Sequence, residues 1–162
     1  MTLRLTTFTD YSLRVLMYLA AAPGGRSTIA EIAAAYGISE QHLVKVAHRL
    51  GQEGFLINTR GRGGGLRLAR PAAEISVAEV VRGSAGADLP AECFHPASNT
   101  CMLAGGCRLQ DILGEALEKF YEALGKYSVA DLTVAPVRLR KLLRFHSEQP
   151  GKGAERAARE RG

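Results

Sequence analysis

Outside residues 93–107, this chain of 162 residues has no cysteine. Its three cysteines, Cys93, Cys101 and Cys107, are an odd number. That excludes a fully paired disulfide framework of the secreted kind and fits a reducing, cytoplasmic setting. Long apolar runs are missing too. The uncharged stretch from Val15 to Gly25 is far too short to span a bilayer. Although "RVLMYLAAAPGG" imitates a secretion leader, Leu13, Leu16, Met17 and Ala20 keep the spacing of a core-facing helix. Nucleotide-binding loops are also absent: "GRGGG" is followed by leucines where GxGxxG needs glycine, and no Gly-Lys-Ser/Thr occurs. Cys93 and His95 lack the partners of a catalytic triad, so the sequence does not read as an enzyme.

What is present is segregated charge within a net +5. Residues 1–70 hold nine Lys/Arg against four Asp/Glu, residues 71–131 four against nine, and residues 132–162 eight against three. A basic N-terminal region suits a polyanion, most often nucleic acid, although simple solvation gives the same charge balance. The motifs decide between these. A first helix is expected from Phe8 to Ala22, with Thr7 as its N-cap and Asp10 as the acid of a capping box. Thr28 and Glu31 repeat that arrangement before "IAEIAAAY", Gly37 supplies a turn, and Ser39 caps a third helix from Glu40 to Gln52. Two short helices joined by "YGIS" form a helix-turn-helix pattern. Leu43, Val46, Ala47 and Leu50 make the buried stripe of the third helix, leaving Gln41, His42, Lys45 and Arg49 to reach base edges or phosphates in a major groove.

"GFLINTRGRGGGLRLARP" then reads as two strands, Phe55–Thr59 and Leu66–Ala69, around a glycine-rich tip with Arg60, Arg62, Arg67 and Arg70. A helix-turn-helix followed by a basic hairpin is the winged-helix order. The candidate DNA contacts are therefore Thr28, Ser39, Gln41, His42, Lys45, Arg49, Arg60, Arg62, Gly63 and Arg67. Ser76 and Glu79 are expected to cap a fourth helix over Val77–Arg82. A long helix from Arg108 to about Lys126 carries the apolar stripe Leu109, Ile112, Leu113, Leu117, Phe120 and Leu124. Pairing with its copy in a homodimer is the economical way to cover that stripe, and a two-fold dimer matches a palindromic operator. The expected fold is mainly α: a winged helix-turn-helix domain with a two-stranded β wing, a cysteine loop and a long dimerisation helix. Its divisions are a DNA-binding domain at 1–82, a cysteine loop at 83–107, a dimerisation helix and following segment at 108–145, and a disordered basic tail at 146–162.

The cysteine spacing is C-x7-C-x5-C. It matches neither a zinc ribbon nor the tight ferredoxin run. A loop wrapping a volume larger than one ion can use wider spacings, and thiolates are preferred ligands of iron–sulfur clusters.

Together, "FTDYSLRVLMYLA", the helix-turn-helix with "RGRGGGLRLARP", and "CMLAGGCRLQDILGEALEKFYEALGKYSVADL" resemble the iron–sulfur winged-helix repressors that include NsrR and IscR. The resemblance covers about residues 3–135 and is strongest to the nitric-oxide-sensing members. It implies a dimeric repressor on double-stranded DNA, with nitric oxide as signal and one 4Fe–4S cluster per subunit held by Cys93, Cys101 and Cys107. A 2Fe–2S core is the smaller alternative. In some members an aspartate at the start of the first helix supplies a fourth ligand from the other subunit, and Asp10 stands at that position. Its capping role competes with this, and His95, Glu92 and Asp88 are substitutes. IscR-like members carry a histidine three places after the last cysteine, where this chain has Gln110. Two neighbouring readings stay open: a regulator of the RirA kind responding to iron availability, and a metal-free thiol redox switch.

Overall fold

Two adjacent threonines compete to start the first helix, and the outcome moves Asp10. A computed structural model describes residues 5–61, 63–84, 91–95, 97–134 and 136–143. Helix α1 spans Thr7–Ala21 with Thr6 as its N-cap, whose Oγ1 accepts the Thr9 amide at 3.0 Å. A capping box needs its acid three residues after the cap, and that place belongs to Thr9. The expected cap role of Asp10 is thereby corrected: its carboxylate pairs with Arg14 at 2.9 Å, one turn on.

Helices α2 (Ile29–Tyr36) and α3 (Glu40–Gln52) follow the sequence pattern closely. Thr28 and Glu31 form the reciprocal capping box, and Gly37 closes α2 in the left-handed conformation at φ 65°. Ser39 holds the N-cap position of α3, but its side chain makes no cap bond, a correction to the expected cap. Strands β1 (Arg26–Ser27), β2 (Leu56–Thr59) and β3 (Gly65–Leu68) form an antiparallel sheet in the order β1-β3-β2. The expected two-stranded wing therefore carries a third strand, too short for any alternation to show in sequence. Gly65 is required where β3 passes β1: its φ is 142°, and a Cβ there would meet the Ser27 carbonyl at 2.8 Å.

Helix α4 (Val77–Ser84) lacks the expected box as well, because Glu79 pairs with Arg70 at 2.8 Å. Helix α5 covers Arg108–Leu124 and α6 covers Pro136–Leu143. The core surrounds α1: Val15, Leu16 and Leu19 meet Ile32, Leu43, Val46 and Leu50 of the helix-turn-helix, with Phe55, Leu66, Ile75, Val80 and Val129. Tyr36 spans α2 and α1, donating its hydroxyl to the Arg14 carbonyl at 3.1 Å, and burial pushes its phenol up to about 12. A second apolar cluster joins α4 (Val77, Val81) to the C-terminal half of α5 (Leu117, Phe120, Tyr121, Leu124). After α5 the chain returns to the core, where the Val129 amide donates to Ile75 and the Val77 amide to Tyr127, both at 2.9 Å. Among the described residues no helix is long and apolar enough to cross a membrane.

Candidate nucleic-acid interface and cysteine loop

Burial of one face of α3 dictates what the other face presents. Leu43, Val46, Ala47 and Leu50 are buried, so Gln41, His42, Lys45 and Arg49 are turned out and exposed. The His42 ring lies 6.4 Å from the Tyr11 ring, which sets the first turns of α1 and α3 side by side. Lys45 has no carboxylate partner among the described residues, whereas Arg49 is held by Glu53 at 2.7 Å. The second Glu53 oxygen is buried without a hydrogen bond and lies against Gly83 of α4. Helix α4 thus touches α5 on one side and the end of the recognition helix on the other.

The wing lies beyond the end of α3 and shows Arg60 and Arg67 to solvent, neither with an ion-pair partner among the described residues. Gly63 is exposed with φ 80°, and its carbonyl accepts a bond from Arg26 Nη1 at 2.8 Å. Thr28 is exposed at the start of α2, and Ser39 is exposed at the start of α3. Arg62 lies outside the described residues. Arg70 leaves the expected basic set, because Glu79 neutralises it. Arg26 is the residue that sequence reasoning missed. It lies in register with Arg67 across β1 and β3, so two like charges stand opposite one another. Such a pair is unfavourable unless an anion joins it.

The cysteines sit at the root of α5. Cys93 lies in a 3-10 turn (Glu92–Phe94), Cys101 is exposed, and Cys107 is the N-cap residue of α5. All three are free thiols. The loop is fastened at its start and its middle. Gln110 of α5 donates to the Cys93 carbonyl at 3.2 Å, and Phe94 lies against Gly114 one turn further on. The Thr100 amide and hydroxyl both donate to one Glu92 oxygen, the hydroxyl at 2.6 Å. These bonds hold the Glu92 carboxyl below the usual carboxylate range. Asn99 accepts the Cys101 amide at 3.0 Å.

Three reachable, unpaired thiols on one loop fit the donor chemistry of an iron–sulfur core at three positions. Among the described residues no three His, Cys, Asp or Glu side chains gather within one chain as a metal-holding group. Asp10 stays paired with Arg14 on α1. His95 closes the 3-10 turn after Cys93, and Asp88 lies outside the described residues.

Comparison with known proteins agrees with this architecture. The family model Rrf2, described as an iron-dependent transcriptional regulator, matches residues 5–135 and ends just before α6. The transcriptional regulator NsrR of Bacillus subtilis is 44% identical over 144 residues, covering 88% of this chain and 99% of that protein. NsrR of Shouchella clausii is 42% identical over 148 residues, covering 91% of this chain and 99% of that protein. Two solved structures share the fold at 20% identity: CymR, the global cysteine regulator of B. subtilis (TM-score 0.64, 82% of this chain and 98% of that one), and T. potens IscR (TM-score 0.62, 95% and 96%). A helix-turn-helix with a polar, exposed α3 face, a wing beside it and a family match over most of its length lead to one conclusion: this chain belongs to the Rrf2 family of transcriptional regulators.

Proposed function

We propose that the chain is a homodimeric repressor that binds palindromic double-stranded DNA through α3 and the wing and releases it in response to nitric oxide. The observation that carries this reading is the grouping of all three thiols, unpaired, at the root of the helix whose other end packs on α4. Cys93, Cys101 and Cys107 would hold a 4Fe–4S cluster, with 2Fe–2S as the smaller alternative, and Asp10 of the partner subunit would complete the set. When bound, such a cluster supplies iron that reacts with nitric oxide. The residues of the chain do the rest. Gln110 and Phe94 hold the thiol loop against α5, Glu92 fastens the loop to itself through Thr100, the Val77–Val81–Tyr121 cluster ties α5 to α4, and Gly83 against Glu53 joins α4 to α3. A shift in the thiol loop is therefore passed to the recognition helix through packed contacts. In the N-terminal half of α5, Leu109 and Ile112 lie open, and a second copy would cover them.

This reading keeps the division into a DNA-binding domain at 1–82, a cluster loop at 83–107, a dimerisation segment at 108–145 and a tail at 146–162, the last outside the described residues. A second reading, a metal-free thiol switch, rests on the same three free thiols. Anoxically purified protein decides between them. Visible absorption, stoichiometric iron, and DNA binding that is lost on adding nitric oxide support the cluster. Colourless, iron-free protein whose binding responds to a thiol oxidant supports the switch. A holo-protein that loses DNA on iron depletion but ignores nitric oxide points instead to iron availability as the signal.

A further inference from the structure

Helix α6 lies past the end of the family match, and its sequence carries charge that the winged domain does not need. Residues 1–131 hold thirteen Lys/Arg against thirteen Asp/Glu, so the whole net +5 of the chain resides in residues 132–162. The part of this region within the described residues is anchored firmly. Arg140 Nε donates to the Ala21 carbonyl at 2.8 Å, placing a cation at the C-terminal end of α1, where helix carbonyls are unsatisfied. Leu143 is buried in the main core, and Leu139 packs against it. With Leu139 and Leu143 facing in, the opposite face shows Arg138 and Lys141 to solvent, and neither has an ion-pair partner among the described residues.

The end of α6 is also well placed. Leu142 and Leu143 line one groove together with Arg26 and Thr28 and with Gly63 and Gly64 of the wing. Glu31, the acid in that groove, is occupied by the Thr28 amide at 2.8 Å and the Ser27 hydroxyl at 2.6 Å. Arg26 and Arg67 stand opposite one another in the sheet beside it. Beyond Leu143 the sequence adds Arg144, Lys152, Arg156, Arg159 and Arg161 against three glutamates.

We infer that the exposed face of α6 forms a second phosphate-binding surface beside the wing, which engages the backbone of the same duplex outside the groove read by α3. This rests on the DNA-binding reading above. A solvated face that merely anchors α6 would give the same exposure, but it would leave the salt dependence of DNA binding untouched. Each phosphate contact contributes about 0.9 to the slope of log K against log salt.

The test compares the full chain with the variant Arg138→Ala/Lys141→Ala on a long mixed-sequence duplex, followed by fluorescence anisotropy across a salt series. The double variant is expected to lower the slope by about 1.8 per bound chain, with thermal melts unchanged. Lys45→Ala serves as the control on the α3 face. If the full chain binds and Lys45→Ala weakens it while the Arg138→Ala/Lys141→Ala variant keeps the wild-type slope, the second surface is overturned and the DNA-binding reading stands. A full chain that binds no duplex overturns both.

Discussion

Helices α3 and α5 are built on the same apolar period and end in opposite circumstances. The stripe of α3, Leu43, Val46, Ala47 and Leu50, is no more than 8% exposed, whereas Leu109 and Ile112 of α5 remain 60% and 48% exposed. The difference lies in what each helix meets. The α3 stripe faces α1 and the sheet at once, while α5 meets α4 only along its C-terminal half. Periodicity therefore fixes which face of a helix is apolar but not whether its own chain covers that face. The apolar face of α3 is covered within its own chain. Among the described residues, α4 covers the α5 stripe only along its C-terminal half.

Cutting both stripes is the largest way to test that contrast. Leu50→Ala should lower unfolding stability by about 2–5 kcal/mol, because it leaves a cavity in a closed core. Leu109→Ala should cost the isolated fold no more than about 0.5 kcal/mol. Thermal melts over a range of protein concentration check both. A Leu109→Ala penalty that grows with concentration would show the α5 stripe covered by a second copy. A large penalty independent of concentration would show it covered within its own chain, and the contrast would collapse.

The junction between the two regions is the next place to press. A Cβ at Gly83 of α4 would stand 2.9 Å from the buried Glu53 oxygen, so the Glu53 carboxylate would have to turn aside. Gly83→Ala should cost at most about 1 kcal/mol, because the Glu53 carboxylate ends a flexible side chain and alanine is the better helix former. Glu53→Ala should remove most of that penalty in the double variant, because the clash partner is then gone. The cycle reads out in urea unfolding. Additive penalties would mean that α4 and the end of α3 do not press on each other, and the proposed route from arm to recognition helix would lose its middle step.

How far the sequence revealed this differs between the regions for a physical reason. Helix α3 was legible to the residue, because a helix with one buried face writes its period into every turn. The Thr28–Glu31 box was legible because its two bonds are local. The capping pattern favours Thr7, with Asp10 three residues on, yet the helix starts from Thr6, whose Oγ1 accepts the Thr9 amide. Two features had no local signature. Strand β1 is two residues long and exists only because β3 passes beside it. In α6, cations alternate with leucines in "VRLRKLL", and its docking depends on a bond to Ala21 at the far end of α1. At the candidate site, the exposed face of α3 and the loop position of the thiols were readable. The neutralisation of Arg70 by Glu79, the placement of Arg26 and the Gln110 bond to Cys93 depend on contacts made across the fold.

The smallest expected effect lies in the thiol loop, where the contrast with the core is one of strength. Glu92 is fully exposed, so its bonds to Thr100 order the loop locally without supporting the fold as a whole. Its carboxyl is depressed below the ordinary range because the Thr100 hydroxyl and amide favour the charged form. The ordering is therefore complete above the pKa of an unconstrained glutamate, about 4.3. It is lost as pH falls through the lowered folded value. The Thr100 amide resonance should titrate with a midpoint below that of a free glutamate and stop titrating in Glu92→Gln, while the unfolding midpoint of that variant stays at the wild-type value. A titration at the ordinary position would show the contact open in solution, leaving Gln110 and Phe94 alone to hold the cysteines against α5. Loss of global stability in Glu92→Gln would show the reverse, that the loop belongs to the cooperative core and moves only when the whole domain does.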